Sequence, residues 1–199
     1  MTESSRSQRR RRRRNPSVAP PAASRPLVQG VAYTGARFFR VPPRQVYGMV
    51  ARLDRLPRWS GVWMWAEVVE RKSQGVTVRL RGYLAGIPVE SVIRATLVPH
   101  TRVTWQQAYG TFLEYSGSFQ VEAAEEGALL RYGVELNPGI PFLFPEAVHQ
   151  ILVQEVEHTL NRLKWSAERD ILSEELRLQR GRGQTQDPED GSPENASEA

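Results

Sequence analysis

Between residues 62 and 136, apolar side chains return at every second position, in runs separated by short turn-forming breaks. Such alternation predicts half-buried strands. The runs are Val62–Lys72, Gly75–Leu84, Ile87–Val98, Arg102–Tyr109, Phe112–Ala123 and Ala128–Leu136. Breaks such as Ala85-Gly86 and Gly110-Thr111 separate them. Breaks this short join antiparallel neighbours, because a parallel pair needs a crossover of about a dozen residues. At either end of the chain the spacing is helical. Val31–Val41 reads as a first strand that stops at Pro42-Pro43. Pro43 suits the first turn of a helix, where its missing N–H removes no bond, and Val46, Met49, Val50 and Leu53 then share one face. Asp54–Trp59 is a second short helical turn. From Pro145 to Leu178, Val148, Leu152, Val156, Leu160, Leu163 and Ala167 form one broad apolar face. Gln154, Glu157, Asn161, Lys164 and Glu168 lie opposite. A sheet with one apolar face needs a cover, and this last helix is the element large enough. The predicted fold class is α+β: a seven-stranded curved antiparallel sheet wrapped around a long C-terminal helix, with two short helices after strand 1.

Composition changes the picture mainly at the termini. The net charge of +5 over 199 residues is unevenly placed. Residues 1–26 carry a surplus of seven positive charges, from Arg6, Arg9 to Arg14 and Arg25 against Glu3. Residues 180–199 carry a surplus of three negative charges. The middle of the chain is left with a surplus of one positive charge, so the folded part has no electrostatic preference for nucleic acid. Both ends lack apolar periodicity and are too polar to bury a core. The expected organisation is a disordered Arg-rich tail (1–26), one domain (27–178) and a disordered acidic tail (179–199). There is no apolar run of the ~18 residues a membrane helix needs. There is also no cysteine to supply disulfides or thiolate metal ligands.

The order of elements carries a resemblance. Strand, Val41-Pro42-Pro43, helix, Pro57-Arg58-Trp59, six strands and a long amphipathic helix resemble the START-like (SRPBCC, helix-grip) superfamily. Within it, Tyr109–Phe119 and Leu163–Glu168 are similar to segments of the polyketide cyclase/dehydrase and coenzyme Q-binding branch. The resemblance spans roughly residues 31–170. It implies a hydrophobic cavity between sheet and helix that holds a lipid, a quinone or a polyketide-like ring.

Alternation then selects the inward side chains: Ile87, Val89, Ser91, Ile93, Ala95 and Leu97; Val103, Trp105 and Gln107; Leu113, Tyr115, Gly117, Phe119 and Val121; Leu130, Tyr132, Val134 and Leu136. The interior is therefore greasy with a few polar tips, which is the composition of a ligand pocket. An ordinary core whose Tyr and Trp atoms find backbone partners has the same composition. The residues assigned to ligand binding are Ser91, Trp105, Gln107, Tyr115, Gly117, Phe119, Tyr132, Phe142, Leu152 and Val156. Gly117 interrupts the apolar row and would leave room beneath the helix or bend the strand. Trp59, Trp63, Met64 and Trp65, which the resemblance sets beside the apolar segment Ile140–Phe144, read either as packing at the sheet's end or as an apolar rim.

Candidate chemistry is sparse. His149 and His158 are nine residues apart on the last helix, hence on opposite sides, and His100 falls in a turn. No catalytic residue, metal site or cofactor is assigned. The arginine run Arg9–Arg14 is a candidate contact for an anionic membrane or nucleic acid. It has no interleaved aromatic residue, and a solvated tail explains it as well. The expected function is binding or carrying a hydrophobic small molecule, in the cytoplasm or at a membrane. The alternatives are an aromatase/cyclase-type enzyme using the same cavity, or a protein-interaction module of the ribosome-associated toxin type.

Overall fold

A computed structural model describes residues 30–140 and 143–183, with side chains through Arg169. The expected disordered tails lie outside the described residues, except that the last helix continues past Leu178 to Gly183. The elements in chain order are β1 (Val31–Phe39), α1 (Pro43–Val50), a 3-10 turn (Leu53–Arg58), β2 (Trp63–Lys72), β3 (Gly75–Leu84), β4 (Ile87–Val98), β5 (Arg102–Gly110), β6 (Glu114–Ala124), β7 (Gly127–Asn137) and α2 (Pro145–Gly183).

The seven strands form one antiparallel sheet in the order β1-β7-β6-β5-β4-β3-β2. Sequential strands pair as hairpins from β2 to β7, and β1 returns to close against β7. Ala85 and Gly86, both with positive φ (50° and 80°), make the two-residue β3–β4 turn, the type whose twist matches the flanking strands. The inner face is continuous: Phe39, Leu80, Ile93, Phe119, Leu130 and Tyr132 are almost fully buried. α2 lies across this face with Val148, Leu152, Val156, Leu160, Leu163 and Ala167 buried. α1 and the 3-10 turn plug one end through Val46, Val50, Leu53 and Leu56. This is the helix-grip architecture that the resemblance implied.

β2 is one of the sheet's two edge strands, β1 being the other. Beyond Trp63 it is largely exposed and carries Glu67, Glu70, Arg71 and Lys72 with two register irregularities. Charge and bulges of this kind discourage pairing with a further chain. α2 sits towards the opposite side, against β1. There Gly35 admits it: a Cβ at Gly35 would lie 2.8 Å from Val156 Cγ1 and 3.0 Å from Leu160 Cδ1. Gly35→Val is therefore expected to lower the unfolding free energy by about 1–3 kcal/mol through overpacking, read as a shift in the urea midpoint. An unchanged midpoint would mean that α2 is free to ride outward.

One stretch departs from strict alternation. Leu113 was expected inward but is exposed (64%), and Phe112 is buried in its place. The strand begins only at Glu114, and residues 111–113 form a bend whose geometry does not follow a two-residue period. A further irregularity, between Val92 and Ile93, lets both side chains be buried.

Candidate functional site

The space between the sheet and α2 is where the resemblance places a ligand. Aromatic side chains occupy most of it. Trp105 on β5, Phe119 on β6 and Tyr132 on β7 pack in a row, with Phe119 and Tyr132 stacked at 4.5 Å between centroids and Trp105 tilted 5.3 Å from Phe119. Trp63, Phe112 and Tyr115 continue it, with Trp63 5.5 Å from Tyr115. What is left is a small void of about 20 Å³, lined by Trp63, Leu84, Phe112, Tyr115, Tyr132, Leu152 and Glu155 among others. That volume is about what one water molecule requires.

Gly117 explains why the void is small. It faces Trp105 across the β5–β6 pair. A Cβ at Gly117 would lie 2.3 Å from Trp105 Cζ2. The room left by the missing side chain is filled by the indole, so Gly117 creates no open cavity here. The Trp105 Nε1 donor is buried without a hydrogen-bond partner; it leans on the Tyr115 hydroxyl without completing a bond. The Tyr115 hydroxyl instead accepts from Trp63 Nε1 at 3.1 Å. Burial raises the ionisation ranges of both Tyr115 and Tyr132, so each is a neutral phenol at any physiological pH.

The remaining assigned residues divide. Tyr115, Tyr132 and Leu152 line the void, and Trp105 and Phe119 pack directly behind it. Ser91 and Gln107 do not line it. Ser91 Oγ donates to Gln107 Oε1 at 2.9 Å, and Gln107 Nε2 donates to the Phe112 carbonyl at 2.8 Å. The pair holds the β5–β6 bend in place. Val156 packs at Gly35 on the β1 side. Phe142 lies outside the described residues. The tryptophan cluster also splits: Trp59 and Trp63 are core, whereas Met64 and Trp65 are exposed and Arg81 sits 5.1 Å over the Trp65 ring.

The residue missed in the sequence is Glu155. It projects from α2 into the interior and is only 7% exposed. Ser60 Oγ donates to its Oε1 at 2.6 Å, Gly61 N–H donates to Oε2 at 2.7 Å, and Thr159 Oγ1 donates to Oε1 at 3.2 Å. Burial raises its ionisation range, against the opposing pull of those donors. The signal was present: Glu155 and Thr159 fall with Val148, Leu152 and Leu163 at spacings of three or four, on the inward stripe. A carboxylate there tied to the turn before β2 fastens α2 to the sheet's end.

Other concavities offer less. A wider one, of about 640 Å³, lies open on the outer face of the sheet among Thr34, Thr96, Thr104, Ser116 and Ser118. It follows from the curvature of a surface of small side chains and has no enclosing wall. All three histidines are exposed. No group of three or more His, Asp or Glu able to hold a metal occurs among the described residues. No helix among them is long and apolar enough to cross a membrane.

Comparison with known proteins agrees with this geometry. Residues 40–163 match the family model described as polyketide cyclase / dehydrase and lipid transport. No curated protein matches the sequence. Among solved structures, a protein from Thermus thermophilus superposes with a TM-score of 0.64 at 20% identity, covering 70% of this chain and 98% of that one. The Zhui aromatase/cyclase from Streptomyces sp. R1128 gives 0.59 at 18% identity, covering 71% and 96%. A STAR-related lipid transfer protein from Xanthomonas axonopodis gives 0.58 at 13% identity, covering 69% and 85%. At these identities the structural likenesses speak for the fold.

Proposed function

Because the chain belongs to the polyketide cyclase / dehydrase and lipid transport family, we propose that it binds and carries a hydrophobic small molecule between the sheet and α2. The observation that supports this most is the wall of the void. It is apolar and aromatic apart from Glu155 and two phenol hydroxyls, the sparse polar lining of a ligand site.

A void of about 20 Å³ is far below the several hundred Å³ that ligand pockets commonly offer, ~300–1,000 Å³. On the carrier reading this is a closed form, and loading requires the wall to move. The β5–β6 bend is the part of the wall suited to this. Phe112 is its inward member, Gln107 is its latch, and Leu113 is already exposed beside it.

The alternative, a cyclase-type enzyme, gains one observation from Glu155, an inward acid beside two tyrosines. Both of its oxygens are engaged by Ser60, Gly61 and Thr159. A carboxyl that shuttles protons needs a lone pair or proton facing the substrate. The bonding of Glu155 favours a fastening role, and with it the carrier reading.

The experiment is native mass spectrometry of the freshly purified full chain, with organic extraction of whatever it carries. A mass adduct that extraction releases as a lipid, quinone or polyketide-like compound is expected. A bare protein that also fails to take up such compounds when offered them overturns the carrier reading.

A further inference from the structure

On the outside of α2, where it meets the 3-10 turn, runs a groove of about 500 Å³. Arg58 and Trp59 of the turn form one side, and His158, Arg162, Trp165 and Arg169 of α2 form the other. No carboxylate lines it. Arg58 and Arg162 have no ion pair with any described residue, whereas Arg37, Arg79, Arg81 and Arg131 each have one. Trp165 is 72% exposed, more than any other large hydrophobic side chain among the described residues, and the Arg169 guanidinium lies 5.9 Å from its ring.

Two features here are left unsatisfied within the protein: the Arg58 and Arg162 guanidinium groups, which have no counter-charge, and the Trp165 indole, which Arg169 faces but leaves mostly in water. A soluble anion would satisfy the first and leave the second. A single-stranded nucleic acid would stack on the ring, but it needs a series of stacking platforms and a broad basic footprint. Here one exposed ring, already faced by Arg169, stands on a domain of nearly balanced charge. An anionic bilayer satisfies both features. Tryptophan settles at the headgroup level, and arginine pairs with lipid phosphates.

We propose that this groove docks the protein on an anionic lipid bilayer, with phosphate headgroups on Arg58 and Arg162 and the Trp165 indole at the headgroup level. The proposal rests on the carrier reading in one respect, since a carrier of hydrophobic molecules has reason to meet a membrane.

The test is sedimentation of the full chain with vesicles of phosphatidylcholine containing about one third phosphatidylglycerol. It is run both on the native sequence and on a form with Arg9→Gln through Arg14→Gln, so that the tail does not mask the groove. In the second form, Arg58→Gln with Arg162→Gln is expected to weaken partitioning about ten-fold or more. Brominated lipid should quench fluorescence in the native protein and quench it less in Trp165→Phe. Circular dichroism checks that each variant is folded. Three results overturn the proposal: no vesicle binding once the tail is neutralised, binding indifferent to the paired arginine change, or vesicles displaced by inorganic phosphate at matched ionic strength. RNA binding through these residues without vesicle binding does so as well. Uptake of a fatty-acid probe delivered from ethanol is measured in parallel. Vesicle binding without uptake supports docking and overturns the carrier reading, whereas uptake without vesicle binding does the reverse.

Discussion

Trp105→Ala is expected to lower the unfolding free energy by about 3–5 kcal/mol, the usual loss when a buried indole is removed, and at the same time to increase binding of an apolar probe. The indole is buried, lies on the bare backbone of Gly117 and packs against Tyr115, Phe119 and Tyr132. No flexible side chain is placed to collapse into its space from the Gly117 side. Its loss should therefore enlarge the existing void. Urea unfolding reads the first effect, and native-state binding of 1-anilinonaphthalene-8-sulfonate reads the second. Lower stability without gained probe binding would show that the vacated space closes up, and that the void and the Trp105 site are not continuous.

The second large effect concerns Glu155. Glu155→Leu removes the acceptor for the Ser60 hydroxyl, the Gly61 N–H and the Thr159 hydroxyl together. Buried donors left unpaired cost about 1–3 kcal/mol each. The gain from no longer burying a charge offsets part of this. The net expectation is destabilisation of about 2–4 kcal/mol, centred on the turn before β2 and visible as faster amide exchange at Gly61 and Trp63. Glu155→Gln separates charge from bonding. Because burial raises the folded-state ionisation of Glu155 above its usual 4.5, the folded protein holds this proton more tightly than the unfolded chain does. Its contribution to stability is then largest at acid pH. It declines as pH rises from the usual carboxylate value through the raised one, and is level above that. The Gln variant should lack that decline. A native protein whose stability rises over this interval, with the same rise in the variant, would remove Glu155 from the account.

Much of the fold was legible because each strand buries one face and the turns are short. Val76, Val78, Leu80 and Leu84 on β3, or Leu130, Tyr132, Val134 and Leu136 on β7, alternate as they do because the other face meets water. Alternation misled at Leu113, where the chain bends and the period has no meaning. The site was less legible, for two physical reasons. Gly117 read as either room beneath the helix or a bend in the strand, because a strand pattern does not reveal what stands across from it. The register that sets Trp105 opposite Gly117 shows the space to be filled. Glu155 was not selected because an acidic residue on an amphipathic helix is ordinarily solvated. Only the approach of Ser60 and Gly61, nearly a hundred residues earlier in the chain, makes an inward carboxylate tenable. The groove around Trp165 has the same character, since Arg58 and Arg162 meet only through the docking of α2 on the 3-10 turn.

The most direct test of the central claim is photolabelling of the full chain with a diazirine-bearing fatty acid, followed by peptide mapping. The carrier account predicts saturable labelling of inward residues on β6, β7 and α2, at Tyr115, Tyr132 and Leu152. Excess unlabelled fatty acid should compete with it, and Trp105→Ala should enhance it. Labelling confined to the outer face of the sheet, at residues such as Thr104 and Ser118, or labelling that never saturates, would contradict it.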